Sequence, residues 1–109
     1  MQRMGSVIGV QPEHIEAYVR VHADVWPEVL ARIADCNIKN YSIFLRQPEN
    51  LMFSYFEYHG TDFEADMAKM KAHEVTQRWW ALCGPMQAPL ESRAEGEWWA
   101  PMREVFHTD

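Results

Sequence analysis

Two apolar segments separated by four turn-forming residues lie at the centre of the sequence. Residues 38–46 alternate between apolar and polar, with Tyr41, Ile43 and Leu45 on one predicted face. Residues 51–59 are apolar on both faces, and the residues between the two segments favour a turn. The pattern predicts an antiparallel hairpin whose second strand is central and covered on both sides.

Helical sequence lies between this hairpin and an earlier strand predicted at residues 3–10. Pro12 suits the first turn of a helix that continues through His22. Pro27 lacks a backbone N–H, so we expect it to interrupt the helix and restart it. The restarted helix is predicted to end near residues 36–37.

A second helical region follows the hairpin. Thr61 and Glu64 match a capping box, which predicts that the Thr61 hydroxyl caps a helix at residues 61–72. A further helical piece ends at Gly84, which Pro85 follows. Two helices are therefore predicted after the hairpin, as two are predicted before it.

The remaining sequence predicts a long connection and one more strand. Residues 84–100 contain prolines and glycines and are predicted to form a loop, with a last strand at residues 102–107. The order β-α-β-β-α-β predicts an α+β class and a ferredoxin-like subunit. We expect one domain, residues 1–109, whose open sheet face pairs with a second copy in a homodimer.

Charge and composition exclude several classes of function. A net charge of −6 disfavours a nucleic-acid partner or an anionic membrane surface. No apolar run is long enough for a membrane span, and no histidine spacing matches a metal site. Two cysteines without C-x-x-C spacing predict reduced thiols in a cytoplasmic protein.

Two small clusters of aromatic and imidazole side chains predict a ligand site. Tyr18 and His22 are four residues apart, so they share one helical face. Imidazole both gives and takes a proton near neutral pH. Trp79 and Trp80 are about 100° apart on a helix, so core packing explains at most one of them. These groups suit a polyol ligand that undergoes proton transfer.

These residues also carry a resemblance to a known family. Tyr18, His22 and Trp26 with Pro27 and Glu28, the segment from Asn40 to Leu45, and Gln77-Arg78-Trp79-Trp80 are similar to the L-rhamnose mutarotase family. The resemblance implies a dimeric α/β-barrel of ferredoxin-like subunits and an isomerase that interconverts sugar anomers without a cofactor. It implies that His22 is the proton donor, and that the sugar is bound by Tyr18, Tyr41, Trp79 and Trp80.

Other readings remain open from the sequence. The sequence leaves open whether the substrate is L-rhamnose, L-fucose or another deoxy sugar. It also leaves open whether the second acid–base group is a tyrosine, a carboxylate or water. A dimeric α/β-barrel monooxygenase or haem-handling protein, or a non-catalytic sugar-binding dimer, would use the same scaffold. We expect Trp98 or Trp99 to pack at the mouth of the site, in its own or the partner subunit, and to help select the sugar, because exposed tryptophan pairs are unfavourable.

Overall fold

The computed structural model describes residues 1–109 and contains five strands and four helices. The strands are β1 Gln2–Val10, β2 Ile38–Arg46, β3 Leu51–Tyr58, β4 Gln87–Ala88 and β5 Ala100–Met102. The helices are α1 Ile15–His22, α2 Pro27–Asp35, α3 Phe63–Ala72 and α4 Glu74–Cys83, with 3-10 turns at Pro12–His14 and Gly84–Met86. None of these helices has the length and apolarity that crossing a membrane requires.

The sheet is antiparallel throughout and follows the order β2-β3-β1-β4, with β5 also paired to β1. This arrangement confirms the predicted α+β, ferredoxin-like class. The hairpin of β2 and β3 is confirmed, and β3 is central because β2 and β1 pair on its two edges.

The predicted helix breaks are also confirmed. α1 ends at His22, and α2 begins at Pro27, which supplies a fixed φ and needs no backbone N–H at that position. α4 ends at Cys83, directly before Gly84 and Pro85. These local signals succeed because proline and glycine act on the backbone itself, independently of tertiary packing.

The last strand differs from the prediction. Instead of one strand at residues 102–107, β1 pairs with β4 through Gly9 and Val10 and with β5 further along its edge. Residues 103–109 have no regular structure, and Val105 is 82% exposed. The apolar residues that suggested a strand are therefore not buried. Sheet pairing ends at Met102, after which the Arg3 side chain binds Glu104 at 2.7 Å.

The core lies between one face of the sheet and the helices. Ile8, Val10 and Met52 on the sheet pack against buried side chains of α1, α2 and α4. The helical members of this main core are Ile15, Tyr18, Val29, Trp79 and Cys83. A smaller cluster of Cys36, Ile38 and Met70 lies near α3. The opposite sheet face has no part in either cluster, and Phe53 there is only half-buried, so β3 is not covered on both sides within one chain.

The N-terminal cap of α3 corrects a second prediction. The capping residue is Asp62, not Thr61: the Asp62 carboxylate accepts a hydrogen bond from the backbone N–H of Ala65 at 3.1 Å. The Asp62 backbone N–H in turn donates to the phenol of Tyr58 at 3.0 Å. This contact holds the Asp62 backbone against Tyr58 at the end of β3, a placement that the capping-box pattern does not contain.

We predict that Asp62→Ala lowers the free energy of unfolding by about 1 kcal/mol, because it leaves a helix N–H without its acceptor. Thr61→Ala is the matched control and should change stability by much less. Urea denaturation of both variants measures the difference. A larger loss for Thr61→Ala would restore the threonine cap and contradict the structure.

Candidate active site

A cavity of about 430 Å³ lies between α1, α4, β2 and the connection between β4 and β5. Its size is within the range of small-molecule sites. All five residues predicted for the site line this cavity, namely Tyr18, His22, Tyr41, Trp79 and Trp80. The other lining residues are Ile43, Lys71, Cys83, Gly84, Gln87, Trp98 and Trp99.

His22 is held by the helix that carries it. Its imidazole stacks on the Tyr18 ring, with centroids 4.1 Å apart and planes inclined by 18°. Its Nδ1 lies 2.9 Å from the backbone carbonyl oxygen of Tyr18. Because a carbonyl oxygen only accepts, Nδ1 must donate, so the neutral ring carries its lone pair on Nε2. His22 therefore offers Nε2 as a proton acceptor.

Burial sets the protonation of the two groups on α1. Burial lowers the pKa of His22, and the smaller opposing effect is its hydrogen bond to the Tyr18 carbonyl. Burial raises the pKa of Tyr18 to about 12, against a lowering by its hydrogen bond with Gln87. Near neutral pH the imidazole is therefore neutral and the phenol keeps its proton.

Tyr41 reaches the cavity because of an irregularity in β2. The pairing with β3 shifts by one residue between Lys39 and Ser42, and Asn40 adopts a φ of 52°. Strict alternation would put Ile38 and Tyr41, three residues apart, on opposite faces of the sheet. The β-bulge turns both toward the helices, so Ile38 joins the core while Tyr41 lines the cavity.

The two adjacent tryptophans of α4 have different surroundings. Trp79 is 7% exposed and packs edge-on against Trp26, at 5.1 Å between ring centroids, and against His22, at 5.2 Å. Trp80 is 44% exposed, and both line the cavity. The prediction that only one of them packs squarely in the core is confirmed. Arg78, next to them, pairs with Glu74 one helical turn away.

The connection after β4 closes one side of the cavity, as predicted for Trp98 or Trp99. The Trp98 indole N–H donates to Gln87 Oε1 at 2.6 Å, and Gln87 Nε2 donates to the Tyr18 phenol at 3.1 Å. Trp99 packs against the main core. Sequence reasoning missed Gln87, since β4 has two residues and no periodicity could reveal where its side chains lie. It also missed Lys71, which lines the cavity from the end of α3.

A second cavity of about 320 Å³ borders the same groups. It shares Tyr18, His22 and Ile43 with the first, and the rest of its lining is apolar. The ionisable side chains around the main cavity are Tyr18, His22, Tyr41, Lys71 and Cys83. The structure has no group of three or more His, Cys, Asp or Glu side chains placed to hold a metal ion.

Solved structures share this fold. A crystal structure of an L-rhamnose mutarotase from Formosa agariphila is 20% identical, with a TM-score of 0.78 and full coverage of both chains. Tetracenomycin F2 cyclase from Streptomyces glaucescens, a type-II polyketide cyclase, is 16% identical with a TM-score of 0.70, covering 99% of this chain and 96% of the cyclase. At these identities the likeness shows the fold alone.

Sequence comparison is more specific. The protein named L-rhamnose mutarotase in Bacillus subtilis is 34% identical over 109 residues, and the one in Oceanobacillus iheyensis is 30% identical over 109 residues. Each alignment covers 100% of both chains. The family model described as L-rhamnose mutarotase matches residues 3–108. The chain therefore belongs to the L-rhamnose mutarotase family.

Proposed function

We propose that this chain interconverts the α and β anomers of L-rhamnose, with His22 transferring the proton. The observation that carries the proposal is the placement of His22: a half-buried imidazole at the cavity wall whose Nδ1 is already bonded to a carbonyl oxygen, and whose pKa is lowered by desolvation. Family membership supplies the sugar and the reaction, and this imidazole supplies a group able to perform it.

The reaction opens a hemiacetal and closes it on the other face. His22 Nε2 takes the proton of the anomeric hydroxyl as the bond between the anomeric carbon and the ring oxygen breaks. The ring oxygen receives a proton from the second acid–base partner, a tyrosine or water, which gives the open-chain aldehyde and hydroxyl. After rotation of the aldehyde, the reverse transfers form the other anomer. General acid–base catalysis of this kind gives roughly 10²–10⁴-fold acceleration, and the protons balance without a cofactor.

The remaining predicted residues suit binding of the sugar. The phenols of Tyr18 and Tyr41 offer hydrogen bonds to hydroxyl groups at the cavity wall. Trp79 and Trp80 offer flat apolar surface for the C–H face and methyl group of a 6-deoxy sugar. Since no carboxylate lines the cavity, a tyrosine or water is the proposed second partner for the sugar oxygens.

L-Rhamnose is the proposed substrate because the family description and the related proteins name it. L-Fucose is the comparison sugar in each assay below. The polyketide cyclase with the same fold illustrates that this scaffold does not by itself define a chemistry. A sugar-binding dimer without catalysis would bind L-rhamnose and leave the rate of anomer exchange unchanged.

The proposed functional form is a homodimer of single domains, each residues 1–109. On the sheet face away from the helices, Val7, Phe53 and Phe44 form a row across three strands, and Phe44 is 65% exposed. A second copy of the same face would cover this row. Two unbonded, buried cysteines support the proposal that the protein acts in the reducing cytoplasm.

We predict that His22→Ala slows anomer exchange by about 10²–10⁴-fold, because it removes the proton-transfer group. NMR saturation transfer between the anomeric protons of L-rhamnose measures the rate. His59→Ala, which removes an exposed imidazole outside the cavity, is the control and should exchange anomers as the wild type does.

The pH dependence follows from the lowered pKa of His22. The neutral form accepts the proton, so the wild-type rate should stay constant above the ordinary histidine range. The rate should fall as pH drops through the lowered pKa, where the imidazole becomes protonated. Exchange at the wild-type rate in His22→Ala would remove His22 from the mechanism.

We predict that Trp80 and Trp79 contribute to different properties, Trp80 to sugar binding and Trp79 to stability. Trp80→Ala should weaken L-rhamnose binding by about 1–3 kcal/mol and leave the rate of the bound sugar nearly unchanged, because stacking acts on ground and transition states alike. Trp79→Ala should lower the free energy of unfolding by about 3–5 kcal/mol, since Trp79 belongs to the core. Fluorescence titration and urea denaturation measure the two effects. Unchanged affinity with a collapsed maximal rate in Trp80→Ala would contradict this assignment.

A charge in the exposed row should dissociate the dimer. We predict that Phe44→Glu raises the dimer dissociation constant at least about tenfold, which corresponds to roughly 1.4 kcal/mol. Leu30→Glu is the control, because Leu30 is also a large, exposed apolar side chain, 53% exposed, and lies on α2 away from the row. Sedimentation equilibrium measures both variants. A wild-type protein that sediments as a monomer at micromolar concentration would refute the homodimer.

A further inference from the structure

We propose that Gln87 and Trp98 are positioning residues that turn the phenolic hydrogen of Tyr18 toward the sugar cavity. Tyr18 then acts on the sugar as a hydrogen-bond donor beside the acceptor Nε2 of His22. The inference rests on the proposed mutarotase function and assigns a task to two residues outside the site predicted from the sequence.

Trp98 determines which way the Gln87 amide faces. An indole N–H can only donate, and it lies 2.6 Å from the end of the Gln87 side chain. The amide atom that faces Trp98 must therefore be the carbonyl oxygen. The NH₂ group consequently faces the opposite direction, toward Tyr18.

Gln87 in turn determines the direction of the Tyr18 hydroxyl. The amide NH₂ has no lone pair to offer, so across the 3.1 Å contact it donates and the phenol oxygen accepts. The phenol's own hydrogen is left to point elsewhere, and Tyr18 is 5% exposed with its side chain lining the cavity. A sugar oxygen in the cavity is the acceptor for this hydrogen.

The result is a complementary pair on one turn of α1. His22 Nδ1 donates to the Tyr18 carbonyl, which leaves Nε2 as an acceptor. The phenol of Tyr18 donates, and burial keeps its proton in place near neutral pH. During ring opening one sugar oxygen loses a proton and another gains one, so one acceptor and one donor match the two changes.

The two positioning residues lie on different parts of the chain, one on a strand and one in a connection. Gln87 lies on β4, where its backbone pairs with Val10. The side-chain amide of Gln11 donates to the backbone carbonyl oxygen of Gln87 at 3.5 Å. Trp98 comes from the connection that ends at β5 and is 47% exposed. The sheet therefore holds the amide in place while this connection selects its orientation.

Gln87→Glu is the most direct test, because it keeps the shape and replaces the donating NH₂ with an acceptor. The ionised carboxylate would accept from both the Trp98 indole and the Tyr18 phenol, which turns the phenolic hydrogen away from the sugar. We expect anomer exchange of L-rhamnose to fall roughly 10- to 100-fold. This is the scale of losing one hydrogen bond to a sugar oxygen that carries charge in the transition state. Gln47→Glu, in an exposed turn, is the matched control and should exchange normally.

The pH profile separates positioning from a structural defect. As pH falls the new carboxyl takes a proton, can again donate to Tyr18, and the variant-to-wild-type rate ratio should return toward one. The ionisable groups facing the cavity are Tyr18 and His22 from α1, Tyr41 from β2, Lys71 from α3 and Cys83 from α4. Both proteins contain all of them, so any difference between the two pH profiles originates in the carboxyl at position 87.

Two further variants complete the test. Trp98→Phe keeps a ring and removes the N–H, and should slow exchange severalfold by freeing the amide to rotate. In a Tyr18→Phe background, Gln87→Glu should cause no additional loss, because its effect acts through the phenol. A loss that is independent of pH, or one that persists in the Tyr18→Phe background, would overturn the proposal.

Failure of the proposed function is distinguishable from failure of this inference. The wild-type exchange rate is measured first, and its absence would refute the mutarotase activity. The affinity for L-rhamnose, followed by tryptophan fluorescence, then tests the positioning on its own. Weaker binding by Gln87→Glu at high pH that recovers at low pH supports the inference, whereas equal affinity at every pH refutes it.

Discussion

The central constraint on this fold is that β1 must satisfy backbone hydrogen bonds on both of its edges. One edge pairs with β3 along almost its whole length, and the other is shared by β4 and β5. At Gly9 the approach is so close that an added Cβ would lie 2.5 Å from the Ala88 carbonyl oxygen. This pairing holds β4 against the end of β1, and it places Gln87 beside Tyr18.

The split edge also explains how a small domain encloses a ligand-sized cavity. The chain leaves the sheet after Ala88 and returns at Ala100, and the residues between bring Trp98 and Trp99 over the side of α1 and α4. If residues 87–102 formed one continuous strand, Trp98 and Trp99 would be part of the sheet edge and could not cover the cavity. The interruption that appears as a defect in the sheet is thus what completes the site.

Much of the architecture follows from local sequence. The bounds of β2, the restart of the helix at Pro27 and the end of α4 before Gly84 agree with prediction, because alternation, proline and glycine act over a few residues. The cap of α3 and the last strand were predicted wrongly. Each depends on a contact with another element: the cap on the contact of Asp62 with Tyr58 at the end of β3, and the last strand on the edge of β1 that receives it.

The sequence by itself determined that Tyr18 and His22 share a helical face, since residues four apart are about one helical turn apart. It also determined the family, through motifs that lie far apart in the chain. Only the tertiary structure decided that Gln87 and Trp98 meet Tyr18, and that burial keeps the imidazole neutral. Hydrogen-bond direction and desolvation depend on which groups come together in space, and no sequence spacing encodes that meeting.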